Sequence, residues 1–449
     1  MPCSQTPSGE RGFLVIRKRW VPLALIGSLS LAPAAAAPWS ATSSDPNRLG
    51  WMQGSPPPAN RIISFGDSQA FAFPQLRWSV CHMQQLMPTR AVSRGLGPIR
   101  LLPRKLRADL DAVTFVPTGS NQRMSWRQSL AANFTDGLIV MHRGRVVYET
   151  SGGCLSPEGR HAAMSLTKSL VGLLGETLVA EGRLQETAKV GELIPELGGS
   201  AFGTATVRQV LDMTTALNYS EDYSDPSAGV WQHAAAGNAL PKPANYTGPR
   251  TYFQFLQTVG QSGVHGESFG YRTVNTDVLG WLISRATGQV LTEVMAERLW
   301  TRLGADFDAY FTVDSIGTPF AGGGFNASLR DMARVGQLLL DNGRVGNAQV
   351  IPAAVIRSIR RGGDREAFAR AGYSQLPGWS YRGMWWVSHD AHGTFMARGV
   401  HGQSLWIDPT AGVVIARFAS HPIASNAAND ATTLPAYAAI SSHLQRHEP

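Results

Sequence analysis

Strand-like segments near both ends of the regular part of this chain constrain its fold more than any other feature. Residues 137–141 and 146–149 are apolar runs joined by a polar turn, and residues 404–407 and 413–416 repeat that arrangement. Short apolar runs separated by turn residues are typical of β-hairpins. Because the residues between the two hairpins have mainly helical patterns, we predict an α+β fold. One antiparallel sheet is built from both ends of the chain, with a mostly helical lobe inserted at about residues 185–325.

Helix signals lie between and after these hairpins. Residues 162–182 are predicted to form one helix, since they end on a glycine, the preferred residue just past a helix end. Thr206 and Gln209 have the spacing of a capping box, in which each side chain bonds the backbone N–H of the other residue. Further helices are predicted over residues 328–340 and about 434–444.

The first 125 residues lack such regular patterns and divide into two parts. Residues 1–36 join a basic stretch, a short apolar run and small residues, which is the composition of a cleaved secretory signal. The apolar run is shorter than the ~20 residues that span a bilayer, so we favour cleavage over a retained anchor. We therefore predict a secreted or periplasmic protein of bacterial type, without stable membrane insertion after cleavage. Residues 37–125 are predicted to be a lead-in and packing arm on the main domain, residues 126–449.

The positive charge of the chain does not indicate a nucleic-acid partner. The predicted signal holds four basic residues and one acidic residue, so its removal lowers the net charge from +8 to +5. The remaining arginines are scattered, without a basic cluster or interleaved stacking aromatics. We expect a small-molecule partner instead; the pattern leaves the oligomeric state open.

Cysteine and histidine spacing argues against a metal site. Cys3 would leave with the signal, so Cys81 and Cys154 remain; an oxidising compartment permits their pairing, but we favour two isolated buried thiols. The nearest histidine pair, His389 and His392, has no glutamate between its members and no third ligand nearby. We predict neither metal nor cofactor.

Ser165-Leu166-Thr167-Lys168 is the single S-x-x-K sequence in the chain. Residues three apart share one face of a helix, so the lysine amine can reach the serine hydroxyl. A partly buried lysine has a lowered pKa and can take the proton that makes serine nucleophilic. The alternative is a helix-capping serine beside a surface lysine. The scarcity of lysine favours the first interpretation, since the chain has only five: Lys18, Lys105, Lys168, Lys189 and Lys242.

Two further elements would complete such a site. Tyr271 lies in a loop before a helix, and a nearby cationic lysine would ease its deprotonation, so that it could pass a proton to a leaving group. A buried structural tyrosine is the alternative. Gly399 and Gly402 flank Val400 and His401 at a strand start, where a backbone N–H could complete an oxyanion hole with the N–H of Ser165.

In this order the three elements resemble the serine β-lactamase and penicillin-binding-protein superfamily, whose pattern is S-x-x-K, Y-x-N or Y-x-S, and K-T-G. Segments around residues 164–169, 219–226, 275–279 and 401–406 extend the resemblance to 6-aminohexanoate-dimer hydrolases and related esterases. The resemblance covers roughly residues 77–445. It implies an antiparallel sheet flanked by helices. It also implies a serine hydrolase that cleaves linear amides or short esters through an acyl-serine intermediate.

The resemblance implies roles for individual residues. Ser165 is the acylated nucleophile, Lys168 its proton partner and Tyr271 the general acid or base. The backbone N–H groups of Ser165 and Val400 form the oxyanion hole. The substrate-binding positions implied by the family are Tyr223, Thr273, Asn275 and His401.

Three departures from the family pattern narrow the expected substrates. Thr273 replaces the asparagine of Y-x-N, and Ala397-Arg398-Gly399 stands where K-T-G is expected. In the family, the lysine of K-T-G binds the carboxylate of a β-lactam or peptide substrate. Its absence here argues against β-lactamase and transpeptidase activity. Ala234 offers no carboxylate for a substrate ammonium group, which counts against hydrolysis of the 6-aminohexanoate dimer itself.

Other functions stay open at this point. Carboxylesterase and D-amino-acid peptidase-like activities use the same acyl-serine chemistry, and the sequence favours none of them strongly. A non-catalytic binding protein on the same fold is a further alternative. The Gly-Asp-Ser sequence at Ser68 resembles the first block of another lipase family, but the downstream motifs of that family are absent and a turn explains Ser68 better.

Overall fold

The computed structural model describes residues 39–66, 69–242 and 244–447. The predicted signal peptide, residues 1–36, lies outside the described residues, and so does Ser68. Within the described ranges, no helix combines the length and the apolar character needed to cross a membrane.

The strands of the described chain group into one large sheet, one four-stranded sheet and three two-stranded ribbons. In sequence order they are β1 (Thr89–Val92), β2 (Thr114–Phe115), β3 (Met124–Ser125), β4 (Thr135–His142), β5 (Arg145–Ser151), β6 (His161–Ala162), β7 (Leu217–Asn218), β8 (Gly260–Gln261), β9 (Ala309–Thr312), β10 (Phe325–Ala327), β11 (Arg344–Val345), β12 (Ala348–Gln349), β13 (Ser380–Arg382), β14 (Trp385–Val387), β15 (Phe395–Gly399), β16 (Gln403–Asp408) and β17 (Val413–Ala419).

The helices surround and connect these strands. In sequence order they are α1 (Pro46–Leu49), α2 (Leu76–Ser79), α3 (Met83–Leu86), α4 (Trp126–Ala132), α5 (Leu166–Ala180), α6 (Val190–Leu193), α7 (Val207–Leu211), α8 (Gly229–Ala236), α9 (Tyr252–Leu256), α10 (Val274–Thr287), α11 (Leu291–Met295), α12 (Thr301–Leu303), α13 (Leu329–Leu340), α14 (Ala353–Arg361), α15 (Arg365–Arg370) and α16 (Ala427–Arg446). A π-helical turn, Ala296–Trp300, joins α11 to α12. Short 3₁₀ turns span Ala59–Arg61, Ala108–Ala112, Pro195–Leu197, Ala201–Thr204 and Val400–Gly402.

The large sheet joins the two ends of the chain, as the hairpin patterns predict. Its order is β13-β14-β15-β16-β17-β4-β5, and each neighbouring pair is antiparallel. β17 pairs with β4, so that Ile415 lies opposite Val140. Both residues are fully buried, and α13 packs against β4, β16 and β17. The predicted α+β class with helices flanking an antiparallel sheet is confirmed.

Helix α5 begins at Leu166, so the predicted start at residue 162 is wrong. Ala162 belongs to β6, which pairs with β10 in the four-stranded sheet, and Met164 has φ +49°. A residue with positive φ cannot continue a right-handed helix, so the helix starts only after this turn. The predicted end is confirmed: Gly182 has φ +72° just past the helix.

Other helix predictions agree with the structure except at one boundary. The Thr206–Gln209 capping box is present at α7, and α13 starts directly after its cap Ser328. The last helix, α16, begins at Ala427 rather than near residue 434, and Pro435 lies inside it.

The residues of the predicted arm are tied into the rest of the described chain. Strand β1 pairs with β9, and the buried Arg77 forms an ion pair with Asp136 at 2.9 Å. Cys81 and Cys154 form a disulfide, so the prediction of two isolated thiols is wrong. The Ala162 N–H donates to the Val80 carbonyl, which places Cys81 beside the loop before β6.

Candidate active site

A sharp turn presents Ser165 at the start of α5. Ser165 is the N-cap residue of α5 and follows Met164, whose backbone is left-handed. Strained backbone of this kind persists where surrounding structure fixes it, often at functional sites. The side chain of Ser165 therefore sits where the helix N–H groups favour developing negative charge.

Lys168 is buried beside Ser165, which contradicts the alternative of a surface lysine. Its side chain is 1% exposed, and Nζ lies 2.6 Å from Ser165 Oγ. Nζ also donates a hydrogen bond to the Gly322 carbonyl at 2.6 Å. Burial lowers the pKa of Lys168 to about 8, although the negative charges of Glu221 and Asp277 oppose this shift. The amine is therefore readily converted to its neutral form, which can accept the proton of Ser165.

Tyr271 completes a three-residue cluster. Lys168 Nζ lies 5.1 Å from the centre of the Tyr271 ring, and the Ser165 side chain is a polar neighbour that partly opposes the effect of burial on the Tyr271 pKa. We predicted from the sequence that the lysine would ease deprotonation of Tyr271, but burial dominates and raises the pKa of Tyr271 well above its usual value. Tyr271 is therefore protonated before reaction and can donate a proton.

The end of β15 lies directly against the turn that holds Ser165. A Cβ atom placed on Gly399 would lie 2.7 Å from the Ala163 carbonyl oxygen and 3.1 Å from the Leu166 nitrogen. Only glycine allows this close approach. The contact holds the residue before Val400 against the turn that contains Ser165, which is compatible with an oxyanion hole made of the N–H groups of Ser165 and Val400.

His401 holds the backbone that follows Val400. It has φ +62°, its N–H donates to the Ala424 carbonyl, and Nδ1 lies 2.7 Å from the His421 carbonyl oxygen. Burial lowers the pKa of His401 to about 4, so the ring is neutral at physiological pH. These contacts support the turn, a structural role that differs from the substrate binding predicted for His401.

The other predicted substrate-binding residues differ in their accessibility. Tyr223 is 41% exposed and packs edge-on against Trp231. Thr273 is buried, and its N–H donates to the Glu221 carboxylate. Asn275 is fully buried; it accepts a hydrogen bond from Thr215 and donates one to a main-chain carbonyl. The structure thus places Tyr223 where a substrate can reach it and Asn275 in the core.

Glu221 is a site residue that the sequence analysis did not assign. It is half-buried, and its negative charge raises the pKa of both Lys168 and Tyr271. The residue stood within the run 219–226 that carried the family resemblance. Its carboxylate contacts the Thr273 N–H in the loop before α10, 52 residues further along the chain. A contact between residues so far apart in sequence is not visible in a local pattern.

Arg398, at the K-T-G position, is committed to the protein. It is buried, forms an ion pair with Asp430 and lies 5.1 Å from the ring centre of Trp386. A guanidinium paired in this way is not free to bind a substrate carboxylate. Among the described residues, the one cluster of potential metal ligands is Cys81, Cys154 and His161, and its two sulfur atoms are bonded to each other.

The fold and the Ser-Lys-Tyr cluster define a class of protein. The family model for beta-lactamase matches residues 128–438. The chain therefore belongs to the beta-lactamase family, and it is a serine hydrolase.

Individual relatives narrow this class. A 6-aminohexanoate-dimer hydrolase of Paenarthrobacter ureafaciens is 36% identical over 351 residues, which cover 78% of this chain and 86% of that protein. A solved structure from Bacillus anthracis, assigned as a 6-aminohexanoate-dimer hydrolase, is 31% identical with a TM-score of 0.77 and covers 85% of this chain and 97% of its own. A D-stereospecific amidohydrolase from Streptomyces sp. shares the fold at 19% identity, with a TM-score of 0.51, covering 69% of this chain and 97% of that one.

Proposed function

We propose that this protein hydrolyses linear amides or short carboxylic esters through an acyl intermediate on Ser165. The observation that carries the proposal is the buried amine of Lys168, 2.6 Å from Ser165 Oγ. In its neutral form this amine takes the hydroxyl proton while Oγ attacks the substrate carbonyl carbon. The N–H groups of Ser165 and Val400 then stabilise the negative charge on the carbonyl oxygen.

Tyr271 supplies the proton that the leaving group needs. Its raised pKa keeps the hydroxyl protonated, and its ring lies beside the Lys168 amine that contacts Ser165. When the C–N or C–O bond breaks, Tyr271 donates to the departing amine or alkoxide and recovers a proton from the Lys168 ammonium. Water then attacks the acyl group by the same steps in reverse, which frees the acid and Ser165.

The substrate is expected to be a linear molecule that is bound without a free cation at the K-T-G position. Arg398 is paired with Asp430, so the site lacks a free cation at the K-T-G position. The two 6-aminohexanoate-dimer hydrolases described above are named for a linear amide that has an ammonium group at one end and a carboxylate at the other. Although Ala234 offers no carboxylate, Glu221 places one near the nucleophile, and it would attract such a cation. This favours substrates that carry an ammonium group.

Intact-mass spectrometry after mixing with a panel of substrates tests the proposal. We expect an acyl adduct or turnover with 6-aminohexanoate dimer and with p-nitrophenyl esters, and little reaction with nitrocefin. Ser165→Ala is the matched control, since it removes one oxygen atom and should abolish both turnover and fluorophosphonate labelling. Absence of labelling in the wild-type protein, or equal labelling of Ser165→Ala, would refute the acyl-serine mechanism. Reaction with the p-nitrophenyl esters but none with the dimer would support the carboxylesterase alternative.

We also propose that the enzyme acts outside the cytoplasm. The signal pattern of residues 1–36 supports export, and the Cys81–Cys154 disulfide is of the kind that persists in oxidising compartments. Cell fractionation with N-terminal sequencing checks this: the mature protein should begin at Ala37. Recovery of the uncut protein from the cytoplasm would contradict it.

A further inference from the structure

Gly322 connects the lysine of the proposed mechanism to a buried carboxylate on α10. Its carbonyl accepts the hydrogen bond from Lys168 Nζ at 2.6 Å, and its N–H donates to Asp277 Oδ1 at 3.1 Å. These two bonds fix the peptide units on both sides of Gly322. The orientation of the carbonyl that holds the lysine amine therefore depends on Asp277.

The loop around Gly322 is packed so closely that it has little freedom of its own. A Cβ atom at Gly322 would lie 2.3 Å from Thr273 Cγ2 and 3.4 Å from Asp277 Oδ2. A side chain cannot fit there without moving α10 or the loop. This close approach explains why the sequence reads Ala-Gly-Gly-Gly at residues 321–324, a run to which the proposed mechanism alone gives no purpose.

Asp277 is itself held from the opposite side by His233 on α8. His233 Nε2 lies 3.0 Å from Asp277 Oδ2, and both side chains are at most 3% exposed. Among the described residues neither atom has an aligned hydrogen bond, so the imidazole limits the position of the carboxylate by close contact. A buried carboxylate is costly unless polar groups surround it, and here the Gly322 N–H and the imidazole do so.

Aromatic rings fix the position of His233. Their ring centres lie 5.1 to 6.2 Å from that of the imidazole. The four residues are Tyr219, Tyr252, Phe255 and Phe320. The imidazole cannot turn away from Asp277 without displacing this packing, so the chain of contacts from His233 to Lys168 is rigid.

We infer that Asp277 is a positioning residue for Lys168: through Gly322 it aims the carbonyl that holds the amine, and its charge stabilises the protonated amine that forms during the reaction. The inference rests on the proposed function, in which Lys168 takes the Ser165 proton. Asp277 itself touches neither Ser165 nor the place where a substrate would bind.

The charged and titratable groups around the Lys168 amine are few, so the effect of Asp277 on the pKa of Lys168 can be distinguished from that of the others. Glu221 and Asp277 are the carboxylates whose negative charge raises the pKa of Lys168 against the effect of burial, and Tyr271 faces the amine as a neutral phenol. Asp277 in turn faces His233 and the phenol Tyr252. Removing the charge of Asp277 should therefore lower the pKa of Lys168 further.

Asp277→Asn tests the inference, because asparagine keeps an acceptor for the Gly322 N–H but removes the charge. We measure kcat and KM for a p-nitrophenyl ester from pH 6 to 9.5. We expect the midpoint of the acidic limb of kcat/KM to move to lower pH by roughly half a unit or more. We also expect kcat at pH 8 to fall by about tenfold. KM should stay within about twofold, since Asp277 does not meet the substrate.

Asp314→Asn is the matched control. Asp314 is as buried as Asp277 and accepts N–H bonds from Tyr252, Ile316 and Thr318, without contact to Gly322. The Asp314→Asn substitution should lower the melting temperature of the protein without moving the pH midpoint of kcat/KM. If Asp277→Asn behaves in the same way, its role is purely structural and the inference is wrong.

A second variant separates this inference from the proposed function. Lys168→Arg should be inactive, and full activity of that variant would refute the proposed mechanism itself. If Lys168→Arg is inactive but Asp277→Asn has an unmoved pH midpoint, the mechanism stands and the inference about Asp277 fails.

Discussion

The amine of Lys168 links a single side chain to the pH dependence of the whole enzyme. Burial lowers its pKa to about 8, and only the neutral form can accept the Ser165 proton. Below pH 8 the amine is increasingly protonated, so kcat/KM should rise about tenfold per pH unit on the acidic side and level off above pH 8. A pH–rate profile with a p-nitrophenyl ester, corrected for spontaneous hydrolysis, measures this.

Lys168→Arg provides the control for that profile. A guanidinium keeps its charge throughout the accessible pH range and cannot act as a base. The variant should lose activity by about a thousandfold or more at every pH, consistent with loss of a base that activates the nucleophile. A wild-type profile that is flat from pH 6 to 9 would show that Lys168 does not take the proton.

Replacing Tyr271 with phenylalanine should affect amides and activated esters differently. The hydroxyl donates a proton to the leaving group, which an amine needs and p-nitrophenolate does not. We expect Tyr271→Phe to lower kcat by about 100-fold or more for an amide, but by less than about tenfold for a p-nitrophenyl ester. Steady-state kinetics with both substrates checks this, and equal losses would remove the proton-donating role.

The parts of the site that the sequence predicts are those with local spacing. Ser165 and Lys168 are three residues apart on one helix, so their contact follows from helix geometry. The contributions of Glu221 and Gly322 depend on loops distant in sequence from α5, and no periodic pattern marks them. The direction in which the pKa of Tyr271 shifts could not be predicted from the sequence either, because it depends on how deeply the ring is buried.

At the scale of elements, the position of α5 depends on a close contact with the turn between β13 and β14. A Cβ atom at Gly172 would lie 2.2 Å from the Gly383 carbonyl oxygen and 2.6 Å from Met384 Cβ. Gly172→Ala should therefore force the helix that carries Ser165 away from the sheet and lower the free energy of unfolding by about 1–3 kcal/mol. Urea unfolding, together with kcat, measures both effects.

Gly199→Ala is the control for that substitution. A Cβ atom at Gly199 would meet no heavy atom within 4 Å. The free energy of unfolding should change little there, within about 0.5 kcal/mol. If Gly172→Ala is as stable and active as Gly199→Ala, α5 can shift without cost and its contact with the β13–β14 turn does not set the position of Ser165.

The observed ends of α13 and α16 show which helix boundaries can be predicted from the sequence. Start and stop signals in the sequence predicted the extent of α13, but α16 begins seven residues earlier than expected. Its first two turns are anchored by polar contacts, Asp430 with Arg398 and Thr433 with Arg417. Such contacts involve residues from distant strands and leave no periodic trace in the sequence.

At the scale of the whole molecule, the early residues are held to the main sheet by buried polar groups. Arg77 bonds Asp136 at the start of β4, Ser44 in the early segment and Ser420 just after β17. Separating a buried arginine from its hydrogen-bond acceptors while the sheet stays folded would leave buried polar groups unpaired, which is strongly unfavourable. These segments should therefore unfold together with the sheet. Neither this network nor the pairing of β1 with β9 is visible in the irregular sequence of residues 37–125.

The disulfide makes the same connection covalently, and its removal tests how strongly the early residues stabilise the molecule. Cys81 and Cys154 are separated by 73 residues, a loop whose closure reduces the entropy of the unfolded chain. Loop-closure entropy puts the stabilisation at about 4 kcal/mol. The double variant Cys81→Ser/Cys154→Ser should have a free energy of unfolding lower by about 4 kcal/mol in urea titrations. Reduced wild-type protein should have the same stability as this variant.

The pH profile of the folded variant is a control. Because the disulfide takes no part in the proton transfer at Lys168, the pH midpoint of kcat/KM should not move. Equal stability of the oxidised and reduced proteins would show that the disulfide adds no net stability to the noncovalent contacts of Arg77 and β1.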